Sequence, residues 1–127
     1  MVVRGIRGAT TVTENSKTAI LAGTRELLLV LKDRNHIETA DIVSIFFTMT
    51  PDLNAVFPAA AARELGWKNV PLFGAQEADV VNALKMCIRI LIHINTEKLQ
   101  GEMEHCYLHE AVVLRKDLID KKRGKKN

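Results

Sequence analysis

The chain has 127 residues, of which 47% are hydrophobic and 26% are charged. This length allows one domain of ordinary size, which can bury a core without disulfides or a structural metal. The composition excludes a disordered chain, a collagen-like repeat and a disulfide-rich miniprotein.

The net charge of +3 is concentrated at the C-terminal end. Six of the 18 basic residues but only two of the 15 acidic ones lie in residues 116–127, which gives this segment +4 and leaves −1 for the rest. We therefore interpret residues 1–118 as the folded domain and residues 119–127 as a basic, flexible tail. Because the folded part lacks excess positive charge, we do not expect a nucleic-acid partner.

Several other classes of protein are not expected. The two cysteines, Cys87 and Cys106, have no metal or redox spacing, which favours a reducing cytoplasm. The start of the chain has no apolar run typical of a secretory signal, and no apolar run approaches the ~20 residues of a membrane span. The four histidines lack ligand spacing and no phosphate-binding glycine loop occurs, so we expect neither a metal nor a cofactor.

The first half of the chain predicts a strand, a long helix and a second strand. Residues 2–12 are rich in valine and punctuated by glycine, which is typical of a strand with close backbone contacts. Residues 13–35 predict the one long helix, begun by Thr13 or Ser16 and ended by Asn35. Its apolar stripe consists of Ile20, Thr24, Leu27, Leu28 and Leu31. The run Ile42–Thr48 predicts a strand with Val43, Ile45, Phe47 and Met49 on one face.

The second half predicts a short helix and three strands. The helix begins at Pro58 and ends at Gly66, and a brief strand at Val70–Phe73 ends at Gly74. The next strand, Cys87–Ile94, places four isoleucines on one face and Cys87, Arg89, Leu91 and His93 on the other. A last strand is predicted at Tyr107–Arg115.

This order of elements indicates an α+β fold in one domain, with a mixed sheet of about five strands packed on one long helix. The chain offers too few helices to cover the second face of the sheet, which favours self-association there. Arg89 on that face needs a partner, and both an internal salt bridge to Glu77 or Asp79 and an anion site are open.

The polar residues near these elements form a cationic set without a nucleophile. Five arginines (Arg4, Arg7, Arg63, Arg89 and Arg115) sit in or beside apolar elements, with Glu77 and Tyr107 near strand ends. Guanidinium groups bind carboxylates bidentately and keep their charge, so the set suits a carboxylate-rich small molecule. Such a site could act by electrostatic stabilisation and conformational restraint alone, as the pericyclic rearrangement of a dianion requires.

Five segments of the chain, in order from residue 2 to about 118, match the pattern of a known enzyme family. They read RGIRGATT, TPDLNAVFPAAAAREL, VPLFGAQEADV, CIRI and YLHEAVVLRKDL. Together they resemble the monofunctional, trimeric chorismate mutases of the α/β-barrel-like class. The resemblance implies a pseudo-α/β-barrel homotrimer with active sites between subunits, which rearranges chorismate to prephenate in aromatic amino-acid biosynthesis.

The resemblance also implies roles for individual residues. Arg89 would face the ether oxygen, Arg7 would bind a carboxylate, and Glu77 would accept a hydrogen bond from the ring hydroxyl. Tyr107 would bond a carboxylate or line the site. Phe57 and Ala59 would come from the neighbouring subunit with Arg63 nearby. The pocket or its mouth would be lined by Leu72, Phe73, Leu114 and Arg115, with Gly74 offering backbone groups.

Two positions depart from the family pattern, and two other functions stay open. Ala60 stands where a lysine is frequent, and Gly74 stands where some members carry a cysteine. The loss of the cation predicts weaker substrate binding but not loss of activity. One alternative is a trimeric imine or enamine deaminase, or a metabolite-binding protein, of similar architecture. Another is a scaffold that works through its basic tail, which would lose its partner if residues 119–127 were removed.

Overall fold

The protein consists of a five-stranded mixed sheet with one long helix packed against it. The structure is a computed structural model, and it describes residues 1–115. The strands are β1 (Val2–Thr11), β2 (Ile42–Met49), β3 (Leu72–Gln76), β4 (Cys87–Thr96) and β5 (Cys106–Tyr107). The helices are α1 (Lys17–Arg34) and α2 (Ala60–Glu64). The predicted α+β class and sheet of about five strands are confirmed. The tail predicted at 119–127 and the domain end predicted at 118 lie outside the described residues.

The order of strands across the sheet is β3-β2-β4-β1-β5. The central strand β4 runs antiparallel to both β1 and β2, while β3 lies parallel to β2 and β5 lies parallel to β1. Within residues 1–115, no helix combines the length and the apolar character that crossing a bilayer requires.

The helix α1 follows its predicted boundaries closely. The Ser16 hydroxyl accepts a hydrogen bond from the Ala19 amide at 3.1 Å, and Asn35 forms the C-cap. All five residues of the predicted stripe are buried, and they pack on the sheet. Gly8 of β1 lets the helix approach this closely, because a Cβ there would lie 2.8 Å from the Leu31 side chain.

Strand β4 divides the molecule into two faces. Its four isoleucines, Ile88, Ile90, Ile92 and Ile94, are at most 4% exposed and belong to the core. On the opposite face Cys87 is buried, Leu91 and His93 are half-buried and Arg89 is exposed. The predicted alternation is therefore confirmed, and the second face carries the polar chemistry.

The prediction for the face of β2 is wrong at Val43. Ile45 and Phe47 are buried as expected, but Val43 is exposed and Ile42 is buried instead. The pairing of β2 with β4 shifts between Ile42 and Ser44, and an extra residue at such a bulge reverses the alternation.

Two predicted boundaries in the middle of the chain are also wrong. The short helix begins at Ala60 rather than Pro58, because residues 57–59 form the turn before it. Gly66 ends this region with a φ of 83°, a conformation that glycine adopts readily. Strand β3 spans Leu72–Gln76 rather than Val70–Phe73, because the parallel ladder with β2 continues past Gly74.

The predicted strand Tyr107–Arg115 is replaced by a short strand and a 3₁₀ helix. Pairing with β1 stops at Tyr107, His109 has a φ of 53°, and the 3₁₀ helix spans His109–Arg115. Leu108, Ala111 and Leu114 recur every third residue, which is the period of a 3₁₀ helix, and all three are at least half-buried. That spacing was the signal for this element.

Candidate active site

The sheet face opposite α1 brings three predicted site residues into neighbouring positions. Arg89 of β4 is paired with Ala9 of β1 and with Thr48 of β2. Ala9 is in turn paired with Tyr107 of β5, so one row crosses four strands. Arg7 lies in the next row, where it is paired with Leu91. Directly paired residues share a face, so their side chains meet on one surface.

An ion pair connects Glu77, just beyond the end of β3, to Arg89 in this row. Glu77 directly follows β3, and its amide donates to the Met49 carbonyl at 2.8 Å. The carboxylate oxygen Oε2 of Glu77 lies 3.2 Å from Nε of Arg89. The Thr48 hydroxyl donates to the same oxygen at 2.6 Å. The salt bridge to Glu77 that the sequence left open is therefore present, and its Arg89 side lines the candidate site.

A cleft of about 350 Å³ opens above these side chains. Its lining combines two guanidinium groups with hydroxyl groups and apolar side chains. The residues are Arg7, Gly8, Ala9, Phe46, Thr48, Arg89, Ile90, Leu91, Tyr107 and Leu114. A cleft with two cations and a mostly apolar wall suits a small anion that carries a ring or chain.

Five other predicted site residues gather elsewhere on the chain. Phe57, Ala59, Arg63, Leu72 and Gly74 surround a separate cleft of about 210 Å³. Phe57 at its rim is 77% exposed, which is unusual for a large aromatic side chain. The structure does not bring these five residues together with Arg89 within one chain.

The last two predicted site residues are Phe73, in β3, and Arg115. Phe73 is 62% exposed and packs edge-on against Phe46, with 5.9 Å between the ring centroids. Phe46 lines the Arg89 cleft, so Phe73 lies beside that cleft. The backbone of Arg115 ends the 3₁₀ helix, one residue after Leu114.

A larger cavity does not offer comparable chemistry. It has a volume of about 600 Å³ and lies between β3 and the loop from Leu53 to Pro58. None of the described residues that line it is ionisable. Within residues 1–115, no three histidine, cysteine or acidic side chains come together as a metal site.

Cys87 lies beneath the cleft and is chemically quiet. Burial raises the pKa of its thiol to about 11, although the guanidinium of Arg89 lowers that pKa in part. It belongs to one buried cluster with Ala9 and Ala111, so the 3₁₀ helix covers this end of the sheet. A thiol held neutral in this way is a packing residue, not a nucleophile.

Sequence reasoning missed Thr48 and Phe46 as residues of the cleft. Both lie on β2, and their places follow from the pairing of Thr48 with Arg89 and of Phe46 with Leu91. The alternation in β2 assigned Thr48 to the face opposite Phe47, but only the register shows which residue of β4 it meets.

The fold and the cleft define a class of protein. It is a small α+β protein whose sheet presents a cleft lined by two arginines. The family model described as chorismate mutase type I matches residues 3–118. The chain therefore belongs to the chorismate mutase type I family.

Similar proteins agree with this assignment. Chorismate mutase AroH of Bacillus subtilis is 47% identical over 119 residues, which cover 93% of this chain and 94% of that protein. Chorismate mutase AroH of Thermus thermophilus is 47% identical over 117 residues, which cover 91% and 96%. The solved structure of chorismate mutase from Clostridium thermocellum superposes with a TM-score of 0.85. It is 46% identical, and the match covers 86% of this chain and 97% of that one. These matches do not favour the imine deaminase alternative.

Proposed function

We propose that this protein is an isomerase that converts chorismate to prephenate by an intramolecular Claisen rearrangement. In this reaction the ether C–O bond breaks while a C–C bond forms, so no atom enters or leaves the substrate. The reaction needs no nucleophile, proton transfer or redox group, and the cleft provides cations and hydrogen-bonding groups instead. The observation that carries the proposal is the Arg89–Glu77 pair beside Arg7, in a chain of the chorismate mutase family.

Arg89 is the residue to which we assign the largest catalytic effect. Negative charge develops on the ether oxygen as the C–O bond breaks, and a fixed guanidinium stabilises that charge more than it stabilises the ground state. Oε2 of Glu77 lies 3.2 Å from Nε of Arg89, and we expect this contact to orient the guanidinium at the cleft wall. The other guanidinium N–H groups of Arg89 would donate hydrogen bonds to the ether oxygen.

Arg7, Glu77 and Tyr107 are assigned to binding and orienting the substrate. Arg7 would pair with one of the two carboxylates of chorismate and hold the compact conformer in which the bond-forming carbons are close. Glu77 would accept a hydrogen bond from the ring hydroxyl. Tyr107 would contact a carboxylate or line the site beside Leu114, which shares the cleft.

The second cleft is explained if the protein is a homotrimer with its active sites between subunits. In that arrangement, the neighbouring subunit would place Phe57, Ala59 and Arg63 over the Arg89 cleft. Two exposed aromatic side chains, Phe57 and Phe73, support an interface at this part of the surface. Leu72, Gly74 and Arg115 would complete the wall and the mouth.

The two departures from the family pattern bear on affinity. Ala60 is half-buried at the first turn of α2 and offers no cation to a carboxylate. Gly74 is paired with Phe47 in the ladder between β2 and β3. Because glycine has no side chain, this position offers the site only backbone groups. We expect weaker substrate binding than in members with lysine and cysteine at these positions, with the chemical step preserved.

The cellular setting is part of the same proposal. Both cysteines are free and buried, which supports work in a reducing cytoplasm. No other partner is needed for the reaction.

The reaction is tested by mixing the purified protein with chorismate and following the loss of its ultraviolet absorbance. We expect a product of identical mass whose NMR spectrum shows the new C–C bond and the ketone of prephenate. Chorismate that stays unchanged, or a product that has lost or gained atoms, would contradict the proposed function.

The shared site is tested by mixing two impaired variants, Arg89→Ala and Arg63→Ala, and refolding them together. If each site uses Arg89 of one subunit and Arg63 of the next, about a quarter of the sites in the mixture regain both residues. Activity then exceeds that of either variant alone. A mixture that shows only the mean of the two parents would place each site within one subunit.

A further inference from the structure

The Glu77 carboxylate receives two donors on one oxygen, from two different strands. We propose that Thr48 is a positioning residue, which acts on the substrate through Glu77 and through the Arg89 pair. This inference rests on the proposed function, and it adds a residue that the sequence patterns and their implied roles do not include.

Of the two contacts to Oε2 of Glu77, the one from Thr48 is the shorter. Its hydroxyl donates to Oε2 of Glu77 at 2.6 Å, whereas Nε of Arg89 lies 3.2 Å from the same atom. Thr48 is paired directly with Arg89 across the ladder between β2 and β4. The hydroxyl and the guanidinium therefore approach Glu77 from adjacent strands, and their convergence fixes one oxygen.

Fixing Oε2 determines where the other oxygen points. Among the described residues, no side chain or backbone group donates to Oε1 of Glu77. Oε1 is thus the atom left to accept the ring hydroxyl. Glu77 lies just beyond the end of β3, so its side chain needs such tertiary contacts to hold one conformer.

Thr48 also acts on Arg89. We expect a carboxylate held only by Arg89 to rotate away, because the Arg89 side chain is 43% exposed and the Glu77 side chain is 19% exposed. When the carboxylate moves, Arg89 loses the partner that fixes its plane. The hydroxyl of Thr48 therefore supports both the acceptor for the ring hydroxyl and the cation at the ether oxygen.

The test compares Thr48→Val, which keeps the shape but removes the hydroxyl, with Thr48→Ser, which keeps the hydroxyl. We expect Thr48→Val to lower kcat/KM about tenfold, which is the range of one hydrogen bond to a charged group. Thr48→Ser should stay within about threefold of the wild type. The matched control is Ser44→Ala, because Ser44 is a hydroxyl residue on the same strand that contacts His93 rather than the cleft.

A double-mutant cycle separates positioning from a merely structural role. If Thr48 acts through Glu77, Thr48→Val should have little further effect in a Glu77→Ala background. An unchanged kcat/KM in Thr48→Val, an equal loss in Thr48→Ser, or a full tenfold loss in the Glu77→Ala background would each overturn the proposal.

A crystal structure of Thr48→Val tests the inference without relying on turnover. We expect the Glu77 carboxylate to leave its position beside Arg89 or to occupy several conformers. A Glu77 side chain that keeps its single position would overturn the positioning role. If the wild type does not convert chorismate, the proposed function fails, and this structure still decides whether Thr48 positions Glu77.

Discussion

The two faces of the sheet are built from alternate residues of the same strands, yet they do different work. On β1, Ile6 is fully buried under α1, while the next residue, Arg7, is exposed in the cleft. On β4, Ile90 is 2% exposed, while the side chain of Arg89 is 43% exposed. One face is apolar and closed by a helix, and the other presents cations to solvent.

This difference shows how a small chain places the residues that stabilise the fold and the residues that line the cleft on opposite faces of one sheet. A strand alternates its side chains every residue, so one strand can contribute both to the core and to a binding site. Substitutions on the helix side should change the free energy of unfolding, and those on the cleft side should change kcat/KM. Each variant below tests one side of this division.

The largest change in stability is expected for Ile6→Ala. Ile6 has no exposed surface, and truncating such a side chain removes apolar contact and leaves a cavity, which destabilises the fold by about 2–5 kcal/mol. Urea unfolding measures this change, and the folded fraction should keep its turnover. As a control, Val3→Ala on the same strand should stay within about 0.5 kcal/mol, because Val3 is 51% exposed. An equally large loss in Val3→Ala would contradict the division.

The substitution of the next residue, Arg7→Ala, should lower activity and leave stability almost unchanged. Loss of a charge-assisted bond to a substrate carboxylate should lower kcat/KM about 10- to 100-fold, while the free energy of unfolding changes by less than about 0.5 kcal/mol. Arg4→Ala is the matched control, since Arg4 lies on the same strand and bonds the Lys98 carbonyl away from the cleft. Equal losses of activity in Arg4→Ala and Arg7→Ala would remove the assigned role.

The helix side of this division was readable from the sequence. Ile20, Leu27 and Leu31 recur at helical spacing, and Ile88 to Ile94 alternate, because burial against one face imposes a period on the chain. The resemblance named Arg7, Arg89 and Glu77. The structure places Arg7 and Arg89 at one cleft, and Glu77 forms an ion pair with Arg89. Their roles in the reaction stay predictions.

What escaped prediction depends on contacts between distant segments. The bulge that exposes Val43 is set by pairing with β4, and the end of β5 is set by His109 turning away from β1. Thr48 belongs to the cleft only because the register places it opposite Arg89. Local propensity contains no information about register, so the bulge and the place of Thr48 do not follow from the residues alone. The 3₁₀ helix after β5 did have a sequence signal, in the apolar spacing of three residues.

The smallest effect is expected at Cys87, which lies on the cleft side of β4 but is buried. Because burial raises the pKa of its thiol to about 11, the folded state keeps the proton more tightly than the unfolded state does. The thiol therefore leaves stability unchanged below its unfolded pKa of about 9 and lowers stability as the pH rises from there toward 11. Between pH 8 and pH 10 this loss is about 1 kcal/mol.

Cys87→Ala isolates this contribution from other groups that titrate in alkali. Urea unfolding under reducing conditions at both pH values should show a smaller loss in Cys87→Ala than in the wild type. Equal losses would mean that the thiol titrates alike in the folded and unfolded states.

The most direct test of the cleft's role is the turnover of chorismate by Arg89→Ala beside the wild type, with urea unfolding of both proteins. We predict that kcat/KM falls by at least about 1,000-fold, more than the loss of a single neutral oxyanion donor causes. The free energy of unfolding should change by less than about 1 kcal/mol, because the Arg89 side chain of the ion pair is 43% exposed and solvent screens such a pair. A folded variant that retains turnover within about threefold of the wild type would contradict the assignment of Arg89 to the ether oxygen.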